Sequence, residues 1–177
     1  MGMMPPLRVA IARGVRRITM QRAPYFHLTF RPNIKLVSTV RRFIADFYRR
    51  VLVDQELSSR LALATHELLE NAVAYATDEE TEVLIEIIED VLSVKTWNRS
   101  SRERLAALAA AIDEMNEAKD ADTYYQQMLI KTSKRVDGSG LGLARIRAEA
   151  EMNLGYELVD DRVCILATAA IVGGLNP

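Results

Sequence analysis

The chain has 177 residues, 49% of them hydrophobic and 27% charged, with a formal net charge of −1. That is the balance of an ordinary globular domain with room for one core, and it excludes a polyanion binder working through overall charge. A single cysteine, Cys164, excludes an internal disulfide and a Cys-rich zinc site. No apolar run approaches the roughly 20 residues that cross a bilayer, so a cytoplasmic protein without a membrane span is expected.

The charge is unevenly spread. No acidic residue precedes Asp46, whereas Arg8, Arg13, Arg16, Arg17, Arg22, Arg31, Lys35, Arg41 and Arg42 all do. Residues 1–23 are too broken by charge for a secretory signal and read as a basic extension. It is either an arm for an acidic partner or a solvated segment. Residues 24–177 read as one domain, and no nucleic-acid interface is expected.

In chain order, YFHLTF over residues 25–30 is rich in strand formers, and Pro32 and Asn33 stop it. Val40, Phe43, Ile44, Phe47, Tyr48 and Val51 then recur at the steps of an amphipathic helix. A second helix runs from Asp54 to about Ala76, with Leu61, Ala64, Leu68, Ala72 and Tyr75 on its buried face. Residues 81–89 and 91–97 read as paired strands around Asp90. Residues 100–132 are helical, and the polar break KDAD divides them in two. A glycine loop at 137–142, a short helix at 143–152 and strands at 156–159 and 163–171 complete the chain. This order predicts an α+β fold, a two-layer sandwich with a mixed sheet covered by helices on one face.

Two features carry chemistry. Glu67 and Asn71 lie one helical turn apart, so both side chains leave the same face. A carboxylate can take a proton from a hydroxyl, and an asparagine carbonyl is a hard ligand suited to Mg²⁺ on nucleotide phosphates. Alone, the pair fits a wet helix face equally well. The second feature is Asp137-Gly138-Ser139-Gly140-Leu141-Gly142, which opens a helix. Its glycines permit close backbone approach, and the helix offers free N–H groups and the positive end of its dipole to phosphate. It is not a Walker loop, because no Lys-Ser/Thr follows.

ExxxN on a helix, two strands, a helical insertion, then GxGLGL opening a helix: this combination resembles the GHKL (histidine kinase-like) ATPase superfamily over about residues 25–171. The HELLENAVAYA stretch is most similar to the small bacterial anti-sigma-factor and switch-protein serine kinases. The resemblance implies a Bergerat-type sandwich with a helical lid at about 100–136, and ATP and Mg²⁺ as ligands. It further implies Glu67 as general base, Asn71 as metal ligand, and Gly138, Gly140, Leu141 and Gly142 as the phosphate loop. Where most of the superfamily has Asp-x-Gly-x-Gly, this chain has Trp97-Asn98-Arg99-Ser100-Ser101. Asn98 is the stand-in for the adenine-binding aspartate, as in the similar SiaB-like branch, and its carbonyl can accept from the adenine amine. Thr168 falls where the superfamily's last strand often places a threonine near adenine. Trp97 is either a base-stacking or a core residue. Lys131, Lys134 and Arg135 are either lid cations for phosphate or a solvated turn.

His66-Glu67 begins like a HExxH zinc motif, but Glu70 takes the place of the second histidine. Neither His66 nor His27 is assigned a catalytic role. Two functions follow from the resemblance. One is an ATP-dependent serine/threonine kinase or anti-sigma-type factor acting on a protein partner, either a STAS-like antagonist or a sigma factor. The other is a degenerate module that binds and sequesters a signalling partner without turnover. Related regulators are often homodimers.

Overall fold

The computed structural model describes residues 25–77, 80–132, 140–171 and 173–176. The basic extension expected over 1–23 lies outside them, as do Lys134, Arg135 and Gly138. The described elements run β1 (Tyr25–Phe30), α1 (Ile34–Val51), α2 (Gln55–Tyr75), β2 (Thr81–Ile88), β3 (Val91–Arg99), α3 (Arg102–Glu117), α4 (Ala121–Thr132), α5 (Leu141–Glu149), β4 (Asn153–Val159) and β5 (Arg162–Ala170).

The helices start where polar caps meet free N–H groups. Asn33 Oδ1 accepts from the Lys35 amide at 2.9 Å, so Asn33 begins α1 as well as ending β1. Asp54 Oδ1 accepts from Glu56 and Leu57 at 2.8 and 3.0 Å and caps α2. The α1 stripe is shifted from the expected one. Val37, Ile44 and Tyr48 are buried, whereas Phe43 stays 57% exposed and meets Phe26 of β1, ring centroids 5.3 Å apart. Tyr48 is fully buried, with its hydroxyl 2.8 Å from Thr65 Oγ1, and burial pushes its phenol pKa up.

The five strands form one sheet in the order β1-β2-β3-β5-β4. The two-layer α+β sandwich is the expected one, but every neighbouring pair is antiparallel where a mixed sheet was expected. β4 runs parallel to β3, and the two would form a parallel pair if they were neighbours. β5 lies between them instead, because Val163, Ile165 and Ala167 are all at most 2% exposed. β4 buries little beyond Leu154 and remains an edge strand. Its edge is partly covered by α3: Asn116 Nδ2 donates to the Leu154 carbonyl at 3.1 Å, and Tyr156 Oη donates to Asp113 at 3.0 Å.

Alternate residues of the central strands face the helices. Val83, Ile85 and Ile87 of β2 and Leu92 and Val94 of β3 pack under Leu61, Ala64, Leu68 and Leu69 of α2 in one core. Each leucine buried in this way contributes roughly 1.5–3 kcal/mol relative to exposure. α2 therefore lies rigidly across the sheet, and its remaining face is free for the site.

Candidate functional site

The site grows from the meeting of α2 and α5. Gly140 precedes α5 in the left-handed region, at φ +91°, which glycine adopts without strain. This conformation starts α5 at Leu141, two residues earlier than the sequence suggested, and puts Gly142 in the first helical turn. A Cβ at position 142 would stand 2.6 Å from Glu67 Oε2 and 3.7 Å from Asn71 Nδ2. The missing side chain of Gly142 is what lets the Glu67 carboxylate reach the N-terminal turn of α5. The free N–H groups of that turn and the dipole behind them make a site for anionic oxygens.

Glu67 is held as well as partly buried. Its side chain is 14% exposed, and Arg145 Nη1 donates to its Oε1 at 3.1 Å. Arg145 lies one turn along α5 and also donates from Nε to Glu149 at 2.9 Å. The guanidinium stays firmly protonated, chiefly through its hydrogen bond to Glu149.

Beside this cluster a mostly apolar cavity of about 100 Å³ opens between α2, α3 and the sheet. Asn71 and Tyr75 of α2 form one wall, and Gly140 and Leu143 stand at its α5 end. Leu105, Leu108 and Ala111 of α3 close it opposite, and Asn98, Val163 and Ile165 form its floor. Asn98 is 4% exposed, and its Nδ2 donates to the Arg99 carbonyl at 3.2 Å. Asn98 keeps Oδ1, an acceptor, and the second N–H of Nδ2 beyond that bond. At the rim, Ser100 Oγ donates to the Tyr75 carbonyl at 2.8 Å, and the Arg104 guanidinium sits 5.6 Å from the Tyr75 ring centroid.

Glu67, Asn71, Gly140 and Gly142 thus converge, Leu141 opens α5 half-buried beside them, and Asn98 lies on the cavity floor. Thr168 does not join them. It pairs with Ser93, while its neighbour Ala167 pairs with buried Val94, so Thr168 projects from the sheet face opposite the helices. Its expected place is taken by Val163 and Ile165, five and three positions earlier on the helix side. Trp97 shares the outer face with Thr168 and stacks over no part of the cavity. Gly138 lies outside the described residues, and Lys131 is exposed at the end of α4. His66 pairs with Glu70 at 3.3 Å, so the residue that breaks the zinc pattern is the histidine's own partner. His27 meets Glu82 on the outer face. Burial pushes the Cys164 thiol pKa up, which suits a packing role over a nucleophilic one.

Sequence reasoning missed Arg145, Tyr75 and Ser100. A signal for Arg145 was present: it follows Gly142 by three positions on a helix, which puts it over the same face. Tyr75 was read as a core residue because it continues the α2 stripe. Among the described residues no three His, Cys, Asp or Glu side chains gather to hold a metal. Of the residues gathered here, Asn71 has a hard side-chain oxygen that could hold a divalent ion carried by phosphates. Mg²⁺ is commonly bound this way, with few protein ligands.

The model of the histidine kinase-like ATPase domain family matches residues 30–151. No curated protein matches the chain. Among solved structures, a chain from the SiaB–SiaC complex of Pseudomonas aeruginosa is similar at a TM-score of 0.65 and 18% identity, over 86% of this chain and 93% of that chain. At that identity the likeness is one of fold, and it agrees with the SiaB-like resemblance drawn from the residues around Asn98.

Proposed function

The chain belongs to the histidine kinase-like ATPase domain family, and on that premise we propose that it is an ATP-binding signalling regulator, a serine/threonine protein kinase or anti-sigma-type factor acting on a protein partner. The observation that carries this reading is Gly142. Its bare Cα lets a partly buried carboxylate, an asparagine one turn away and a helix N-terminus meet at one point. A scaffold has no packing need for a carboxylate there, whereas phosphoryl transfer needs all three groups.

The residues divide the work by position. The free amides of the first turn of α5 bind phosphate oxygens. Asn71 would hold Mg²⁺, which when bound neutralises charge on the transferred phosphoryl group. The apolar walls take the base, and Asn98 Oδ1 accepts from an exocyclic amine, which adenine has at the 6-position and guanine replaces with a second acceptor. Glu67 accepts the proton of a serine or threonine hydroxyl as its oxygen bonds to the γ-phosphorus and the bond to ADP breaks. The partner would be a STAS-like antagonist or a sigma factor. The similarity to a chain from a two-protein complex supports a protein partner, and a second copy of the chain is compatible with the fold.

One observation favours a second reading, a module that sequesters a partner without turnover. Among the described residues, the cavity floor offers the neutral amide of Asn98 and the lining holds no carboxylate. A thermal shift with ATP, with and without Mg²⁺, separates the two, since a ligand bound only by the folded state raises its stability. Mg²⁺-dependent stabilisation, followed by phosphate transfer to a partner that Glu67→Ala abolishes, supports the kinase. Absence of any nucleotide effect supports the sequestering module.

A further inference from the structure

We propose that Arg145 is a positioning residue for Glu67, selecting the carboxylate oxygen left to accept a proton. The inference rests on the reading of Glu67 as the proton acceptor. Its basis is a pair of hydrogen bonds from one guanidinium. Arg145 Nη1 holds Glu67 Oε1 at 3.1 Å and leaves Oε2 beside Gly142. Arg145 Nε holds Glu149 at 2.9 Å, one turn further along α5.

The geometry of the fork explains the role. A planar guanidinium donates to the two carboxylates in directions fixed relative to one another, whereas a lysine ammonium rotates freely about its stem. With Oε1 of Glu67 held, Oε2 is the oxygen left to accept a proton. The pair is a weak device for stability, because Arg145 is 39% exposed and such pairs contribute little. Its consequence lies in orientation.

The test measures ADP release at saturating Mg-ATP, together with the Kd for Mg-ATP by calorimetry. The variants are Arg145→Met, Arg145→Lys, Glu67→Gln and the double variant Glu67→Gln/Arg145→Met. Arg145→Met is expected to lower kcat about ten- to a hundredfold, the scale of a misplaced catalytic group, with Kd unchanged. Arg145→Lys recovers part of the loss. In the Glu67→Gln background, Arg145→Met costs nothing further, because the two residues act as a unit. Losses that multiply in the double variant, or a Kd that weakens as much as kcat falls, overturn the positioning role and leave the functional reading standing. A wild type without turnover, or a Glu67→Gln variant as active as wild type, overturns the functional reading and the inference with it.

Discussion

The two ends of the cavity are built differently. At the α5 end, chemistry is dense and tightly set: Glu67 at 14% exposure, Asn71 beside it, and a glycine whose Cβ would collide with the carboxylate at 2.6 Å. At the sheet end the floor carries one neutral amide among apolar residues, Asn98 with Val163 and Ile165. On the proposed function, affinity and selectivity then arise at different ends. The α5 end would supply charged, directional contacts of the kind that hold a nucleotide in one pose. The sheet end would supply mostly buried area and the Asn98 amide. The site should therefore be intolerant of change at α5 and graded in its response at β3.

The largest expected effect is at Gly142. Gly142→Val brings side-chain atoms into the space of Glu67 and should remove both Mg-ATP stabilisation in a thermal shift and any turnover. A variant that still binds Mg-ATP normally would show that the contact between α2 and α5 is packing alone. Next is Glu67→Gln, which keeps the shape and removes the base. Turnover should fall by about 10²–10⁴-fold, while the Mg-ATP shift in melting temperature persists. Loss of both together would mean that Glu67 serves binding and not proton transfer.

At the sheet end, Asn98→Leu should weaken ATP by about tenfold, near the ~1.4 kcal/mol that one hydrogen bond of this kind contributes. It should also narrow the preference for ATP over GTP, measured by calorimetry with both nucleotides. An unchanged preference would place adenine recognition elsewhere. The smallest effect is at Thr168. Thr168→Val, on the outer sheet face, should leave the Kd for ATP unchanged and stability within about 0.5 kcal/mol. A loss of ATP affinity there would contradict the register that turns Thr168 away from the helices.

The same contrast governs what could be read in the sequence. The α5 end was legible because its determinants are local. Helical periodicity places Glu67 and Asn71 on one face, and glycines at alternate positions before a helix announce a close approach. The sheet end depends on which strands pair and in what register, and a shift of one residue reverses every side chain. Thr168 was misplaced for that reason. Its face is set by the pairing of Ala167 with Val94, which no local pattern in ILATA reveals. The sheet's antiparallel pairing was hidden for a related reason, since β5 enters between β3 and β4 through burial that only the assembled core defines. Phe43 shows the same limit on a helix. It fits the apolar period of α1, yet it stays largely exposed beside Phe26 because β1 is an edge strand. Arg145 was overlooked because its partner, Glu67, is 78 residues away in the chain.

The central claim is that the meeting of Glu67, Asn71 and Gly142 is a nucleotide site. Calorimetric titration of ATP into the full chain, once with Mg²⁺ and once with the metal chelated, tests it most directly. The account predicts saturable binding that tightens when Mg²⁺ is present and disappears in Gly142→Val. No binding of ATP under either condition would contradict it.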